Sequence, residues 1–192
     1  GEDLPGAVYF REDSGATLAL EEAAEIAGEN GSRSDLSKGQ LRFSLAGVQL
    51  KFSMLRQDRK LALPARGEEG DWIVKLSFGD FPGLPENEHA MMTWAKRVGF
   101  SVPETEIWEK KDISGLDQWV NRDFRALAVR RYDRTDKGRI HQEDFAQVLG
   151  RPPGAKYDGK AEEMLIVVSQ ILGFEAFEQF MLRLAFTVAI GI

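Results

Sequence analysis

The stretch DWIVKLSFGDFPGLPENEHAMMTWAKRVG, residues 71–99, predicts a buried strand followed by a helix. The run Trp72–Leu76 is apolar except for Lys75, which is typical of a strand inside a sheet. Pro85 at the start, acidic residues in the first turn, basic residues in the last turn and Gly99 behind them favour a helix. A lysine in a buried strand, followed by a helix that carries Glu88, therefore decides the fold prediction.

Apolar periodicity elsewhere predicts a β-rich first part and a helical second part. Further strands are predicted at residues 41–45, 50–56, 104–108 and 124–131, and further helices at 17–27, 142–149, 160–172 and 174–190. We therefore predict an α+β protein with three parts. They are an N-terminal junction with a short helix at 1–40, a β-rich lobe at 41–132 and the start of a helical lobe at 133–192.

Composition narrows the classes of function. The 192 residues include 25 Lys and Arg against 31 Asp and Glu, a net charge of −6, and this acidity argues against direct binding to the phosphate backbone of nucleic acids. The absence of cysteine excludes disulfides, thiolate nucleophiles and Cys-ligated zinc. The start of the chain lacks a signal-peptide pattern, and the apolar run at 184–192 is too short for a membrane span, so we expect a cytoplasmic protein without membrane contact.

Residues 43–51, FSLAGVQLK, predict a turn of small residues between two strands. Backbone N–H groups of such a turn can approach phosphate oxygens, and Ser44 and Lys51 can add a hydroxyl and a positive charge. The stretch matches neither common phosphate-loop pattern, and taken alone an Ala-Gly pair between two strands is more often an ordinary hairpin turn.

Lys75 is a second candidate, because a charge in a buried strand is costly unless it is paired or reaches a ligand. Protein kinases use a strand lysine paired with a helix glutamate to hold the phosphates of ATP, and Glu88 lies in the helix that follows. The alternative is a lysine whose stem packs on the sheet while its ammonium reaches water.

A third candidate is the charged segment at 130–134, with 141–145 behind it. Residues at the end of a strand between two lobes can contact an adenine ring, whereas a surface strip of ion pairs followed by the start of a helix explains the same composition. The two histidines, His89 and His141, have no second ligand at a suitable spacing, so we predict no metal site.

Taken together, seven stretches resemble the HipA family, the serine/threonine kinase toxins of bacterial toxin–antitoxin systems. They are DLPGA at 3–7, FSLAGVQLK at 43–51, IVKL at 73–76, PENE at 85–88, VPETEI at 102–107, LAVRRYDR at 127–134 and HQEDFAQVLG at 141–150. Each is weak alone, and their shared order is specific. The resemblance implies a protein-kinase-like fold, with a β-rich N-terminal lobe followed by the first helices of a helical C-terminal lobe.

The family's site residues carry over by position. The resemblance implies a phosphate loop made of Ala46, Gly47, Val48, Gln49, Leu50 and Lys51. It implies that Lys75 contacts the ATP phosphates with Glu88 as its partner, and that adenine is received at a hinge lined by Arg130, Arg131 and Tyr132. Ser44 matches the family's autophosphorylated serine, whose modification inactivates the kinase by adding about two negative charges to a loop that holds phosphates.

Two departures from the family pattern bear on activity. Arg130 stands at a hinge position that is usually acidic. The family motif I-G-N-x-D-x-H-x-K-N, which supplies the catalytic Asp and a metal-binding Asn, is expected after Ile192. We therefore predict no catalytic and no metal-binding residue within this sequence.

The resemblance implies a kinase that uses ATP with Mg²⁺ to phosphorylate an aminoacyl-tRNA synthetase, such as glutamyl-tRNA synthetase, and so causes growth arrest and persistence. Its expected partner is a HipB-like helix-turn-helix antitoxin, through which contact with DNA is indirect. The alternative is a truncated, inactive kinase remnant that binds a nucleotide or the antitoxin. In either case, we expect an exposed apolar face on the helix at 174–190.

Overall fold

The computed structural model describes residues 50–65, 68–76, 83–116, 120, 123–155 and 157–191. It divides the chain into two compact units, Gly1–His141 and Gln142–Ile192. The predicted helix at 17–27, the strand at 41–45 and most of the predicted phosphate loop lie outside the described residues. The helical lobe was predicted to start at residue 133, whereas a β-hairpin at 134–139 belongs to the first unit.

The described part of the first unit is mainly a β-sheet. Its strands are β1 Lys51–Gln57, β2 Lys60–Ala62, β3 Trp72–Leu76, β4 Thr105–Glu109, β5 Ile113–Ser114, β6 Arg125–Arg130, β7 Arg134–Thr135 and β8 Gly138–Arg139. Six of them form one sheet in the order β4-β6-β3-β1-β2-β5, in which only β2 and β5 are parallel, while β7 and β8 pair separately. The predicted strands β1, β3, β4 and β6 are confirmed.

The sheet buries one face more completely than the other. In β3, Trp72, Val74 and Leu76 are buried, whereas Ile73 and Lys75 on the opposite face are only partly buried. This alternation follows from the period of two in a strand. The residues packed against the fully buried face form the core: Phe52, Met54, Leu61, Trp72, Val74, Leu76, Ile113, Leu116, Val120, Phe124, Ala126 and Ala128.

Helix α1, Leu84–Arg97, follows β3 in the chain and packs against β4 and β6. Its ends match the sequence signals: Pro85 lies in the first turn, and the last turn carries Lys96 and Arg97. The chain leaves the helix through Gly99 at a φ of 99°, which favours glycine because a Cβ is strained there. The predicted helix is confirmed, and it carries Glu88.

The second unit consists of helices. In the described residues its α-helices are α2 Phe145–Val148, α3 Ala161–Ile171 and α4 Phe174–Ile190, with a short 3₁₀ helix at Pro153–Ala155. Helix α3 packs against α4. The helix predicted at 142–149 is shorter in the structure, because Asp144 caps its first turn. The Gln147 N–H donates to the Asp144 carboxylate at 2.9 Å. Helices α3 and α4 confirm the predictions at 160–172 and 174–190.

Helix α4 carries the exposed apolar side chains that the sequence predicts. The most exposed are Phe174, Met181, Leu182 and Val188. Within the described part of the chain, no helix is long and apolar enough to span a membrane.

Candidate functional site

Lys75 on β3 and Glu88 on α1 form an ion pair, in which the lysine ammonium donates to Glu88 Oε1. The two side chains are 23% and 30% exposed. This partial burial strengthens the attraction relative to a surface pair, yet leaves the ammonium within reach of a ligand. The structure thus brings together two of the residues that the sequence singled out.

A second lysine lies directly opposite Lys75 on the neighbouring strand. Lys51 is its cross-strand partner in the antiparallel pairing of β1 and β3, and the Leu76 N–H donates to the Leu50 carbonyl at 3.0 Å to extend this pairing. Opposite residues point to the same face of a sheet, and two like charges in this position are unfavourable without anions nearby. Lys51 and Lys75 thus place two positively charged side chains on one face of the sheet, next to the Glu88 carboxylate. Such a cluster of charges suits an anion such as phosphate.

Most of the predicted phosphate loop falls outside the described residues. That applies to Ser44, Ala46, Gly47, Val48 and Gln49. Leu50 is half-buried against the core, and Lys51 begins β1.

The predicted hinge residues differ from one another in the structure. Arg130 ends β6, its N–H donates to the Glu104 carbonyl at 2.9 Å, and its side chain is exposed within 3.7 Å of the Glu104 carboxylate. Tyr132 is 63% exposed. Arg131 instead points inward, so its guanidinium is not presented at the surface.

Arg131 belongs to a buried cluster that the sequence analysis missed. Its Nε and Nη2 donate to the two carboxylate oxygens of Asp133 at 3.0 and 2.8 Å, and its Nη1 donates to Ser53 Oγ at 3.0 Å. Arg134 Nη1 also donates to Asp133 Oδ2 at 2.8 Å. We call Ser53, Arg131, Asp133 and Arg134 the Arg131 cluster. An acidic residue two positions after Arg131 was the only signal for it, in a segment already rich in charge.

Gly70 allows a neighbouring segment to pass close to this cluster. A Cβ at this position would meet the Ser53 hydroxyl and would lie 2.5 Å from the Met54 nitrogen. No side chain fits there without a shift of β1. The glycine is therefore required by close approach, and no sequence pattern indicated this.

A shallow depression of about 450 Å³ lies apart from these residues. It is lined by Glu109, Lys110, Lys111, Asp123, Phe124 and Arg125. A hydrogen bond from Lys111 lowers the pKa of Glu109 there. It contains none of the predicted site residues, and its open shape does not enclose a ligand. The face of the sheet that carries Lys51 and Lys75 is therefore the better candidate site.

Comparison with known proteins identifies the family. Residues 43–191 match the model of the HipA-like C-terminal domain. The chain belongs to this HipA-like family. In its structure the sheet lysine is paired with a helix glutamate, which is the arrangement found in the N-terminal lobe of protein kinases. The sheet followed by helices confirms the α+β fold class.

Relatives of this HipA-like chain carry kinase names. It is 42% identical over 199 residues to "Putative kinase Y4dM" of Sinorhizobium fredii, a match that covers 100% of this chain and 46% of that protein. It is 31% identical over 136 residues to a "Putative kinase" of Haemophilus influenzae, covering 70% of this chain and 37% of that protein. The chain thus spans less than half the length of these relatives.

Among solved structures, the chain is similar to one from the complex of Shewanella oneidensis MR-1 HipA, HipB and operator DNA. The sequence identity is 23% and the TM-score is 0.47, and the match covers 84% of this chain and 39% of that chain.

Within the described residues, no group of three His, Asp or Glu side chains is arranged to hold a metal ion.

Proposed function

We propose that this HipA-like chain binds ATP and forms the nucleotide-binding part of a serine/threonine protein kinase. The observation that carries the proposal is the ion pair between Lys75 and Glu88. Lys51 opposite Lys75 supports it, because a second positive charge on the same face suits a chain of phosphates. The names of the relatives support a kinase of this family.

Each residue has a distinct proposed task. Lys75 would bind phosphate oxygens while Glu88 holds its ammonium in place, and Lys51 would add charge at the start of β1. Backbone N–H groups of residues 46–50 would complete the phosphate site, and the hinge residues 130–132 would contact adenine. Mg²⁺ bound with ATP would neutralise phosphate charge, and on the family resemblance alone we assign its ligands to the family's catalytic motif.

The cellular role is proposed from the family resemblance. The kinase would act in the cytoplasm on an aminoacyl-tRNA synthetase, such as glutamyl-tRNA synthetase, and cause growth arrest and persistence. A HipB-like antitoxin would neutralise it and provide contact with DNA. Phosphorylation of Ser44 would inactivate it, because the added negative charge competes with the phosphates of ATP.

Titration calorimetry with Mg-ATP tests the nucleotide site. We expect Lys75→Ala to weaken binding by about a hundredfold, since a charge-assisted contact to phosphate is lost together with the partner of Glu88. Lys96→Ala makes the same change of charge at the exposed end of α1 and should leave binding unchanged. Equal affinities of the wild-type protein and Lys75→Ala would refute the proposed site.

Intact-mass spectrometry of the native gene product before and after incubation with Mg-ATP tests phosphoryl transfer. An increment of one phosphate that maps to Ser44 is the expected result. Binding of ATP with no increment would instead favour the inactive, nucleotide-binding remnant.

A further inference from the structure

A fully buried ion pair holds the segment that is proposed to receive adenine. The side chains of Arg131 and Asp133 are 0% and 5% exposed, and these two residues flank Tyr132, which is 63% exposed. The backbone is held at the same two positions, since the Arg131 N–H donates to the Asp71 carbonyl at 2.8 Å and the Asp133 carbonyl accepts from the Ile140 N–H at 3.0 Å. An exposed aromatic residue is thus fixed between two immobilised neighbours.

Stability alone is a weak explanation for such a pair. Removing two charges from water costs free energy that their attraction barely repays, so a buried pair is often no more stable than apolar residues of the same size. What a bidentate pair provides is geometry, because two parallel hydrogen bonds from the planar guanidinium restrict the orientation of the carboxylate. Here that geometry determines the path of the chain on both sides of Tyr132.

The same arginine ties this segment to the strand of the phosphate site. Its Nη1 donates to Ser53 Oγ, and Ser53 lies two residues after Lys51 in β1, on the same face of the sheet. The opposite partner of Ser53 is Ile73, just as that of Lys51 is Lys75. The contact between Arg131 and Ser53 therefore links the base end of the site to the strand that carries Lys51, in addition to the pairing of β3 with β6.

We propose that Arg131 and Asp133 are positioning residues that set the affinity of the site for the base of a nucleotide and not for its phosphates. This inference rests on the proposed nucleotide site and assigns phosphate binding and base binding to different residues. Lys51 and Lys75 bind the phosphate chain. The Arg131 cluster keeps residues 130–132 in the conformation that accepts the base.

Three probes separate these tasks in the full-length gene product: Mg-ATP, adenosine and inorganic tripolyphosphate. Binding is measured by calorimetry well below the unfolding temperature, with circular dichroism as the check that each variant is folded. We expect Asp133→Asn to weaken the binding of both ATP and adenosine by about tenfold. This is the loss expected if about a tenth of the molecules keep the binding-competent conformation. Tripolyphosphate binding should stay within about twofold of the wild type.

Lys75→Ala should show the opposite split, with loss of ATP and tripolyphosphate and no change for adenosine. Arg151→Gln is the control, because it breaks an ion pair with Glu163 in the other unit and should alter none of the three affinities. Ser53→Ala keeps both charges of the buried pair, so it serves if Asp133→Asn does not fold. Ser53→Ala should weaken the binding of ATP and adenosine by about threefold and leave tripolyphosphate binding unchanged.

The outcomes distinguish the two proposals. The positioning role would be overturned if a folded Asp133→Asn or Ser53→Ala protein bound ATP and tripolyphosphate with equally weakened affinity, or with unchanged affinity. Either result would leave the proposed nucleotide site intact. A wild-type protein that binds neither ATP nor tripolyphosphate would overturn the proposed function itself.

Discussion

Two ion pairs of the first unit differ in burial. Lys75 and Glu88 keep about a quarter of their side-chain surface exposed, whereas Arg131 and Asp133 are almost completely enclosed. Both pairs contact the same face of the sheet. Lys51 lies opposite Lys75, Ser53 accepts from Arg131, and these two residues are two positions apart in β1. A partly exposed charge can contact a ligand while it keeps its partner, whereas an enclosed charge can only hold its neighbours in place. We therefore expect mutations of the two pairs to affect different properties.

The largest loss of stability is expected for Arg131→Met. This change leaves the buried Asp133 carboxylate and Ser53 hydroxyl without the guanidinium, and breaking a buried pair costs about 3 kcal/mol. Urea unfolding measures the difference. Arg125→Met, which breaks the exposed pair with Glu86, should cost less than about 1 kcal/mol. Equal losses in both variants would show that the burial of Arg131 has no energetic consequence.

Gly70→Ala is expected to have the next largest effect. The new methyl group would lie 2.5 Å from the Met54 nitrogen and 2.8 Å from its oxygen, so β1 must shift at a cost of about 1–3 kcal/mol. Gly83→Ala is the matched control, since a Cβ there meets nothing within 4 Å. Thermal unfolding of the two variants compares them, and a Gly70→Ala protein as stable as the control would contradict the close packing.

Glu88→Gln should separate binding from stability. Loss of the partly exposed pair should cost less than about 1 kcal/mol of unfolding free energy. Mg-ATP affinity should fall by about tenfold, because Lys75 is no longer held in position. Glu86→Gln makes the same chemical change two residues away in the same helix and should leave ATP affinity unaltered. If Glu88→Gln lowered the unfolding free energy but left the Mg-ATP affinity unchanged, the pair of Lys75 and Glu88 would have only a structural role.

The smallest expected effect is on the pH dependence of stability, through Glu163 in the second unit. The Lys160 N–H, which donates to Glu163 at 3.0 Å, holds the pKa of this carboxyl below its usual 4.5, and Arg151 adds to the shift. A depressed pKa in the folded state stabilises the protein above the usual pKa, and this contribution is lost as the pH falls through the folded value. The melting temperature of Glu163→Gln should therefore be slightly lower than that of the wild type at pH 7, and the gap should close below pH 4.5. A gap that widens in acid would contradict this sign.

Local patterns predicted the longer elements well and the short ones poorly. Strands β1, β3, β4 and β6 and helices α1, α3 and α4 each repeat their side-chain period often enough to be recognised. Strands β2, β5, β7 and β8 have two or three residues, which is too few for a period. Helix α2 was overestimated because the capping contact at Asp144 decides where it begins.

The candidate site divides in the same way. Lys75 could be singled out because a charge inside an apolar strand is a local anomaly, and Glu88 because the helix that carries it follows at once. Ser53 could not, since a serine in a strand is ordinary, and Asp133 was included only as one member of the charged segment at 130–134. Their importance arises only from burial.

The sequence by itself determined the α+β order of elements, the lysine and glutamate of the candidate site and the resemblance to the HipA family. The elements depend on side-chain periods within a few positions, and the resemblance depends on short stretches and their order along the chain. The tertiary structure alone decided that β3 lies between β1 and β6, that Lys51 faces Lys75, and that Arg131 turns inward to a serine 78 residues away. The physical reason is that strand register and burial are set by contacts between distant parts of the chain, which no local period encodes.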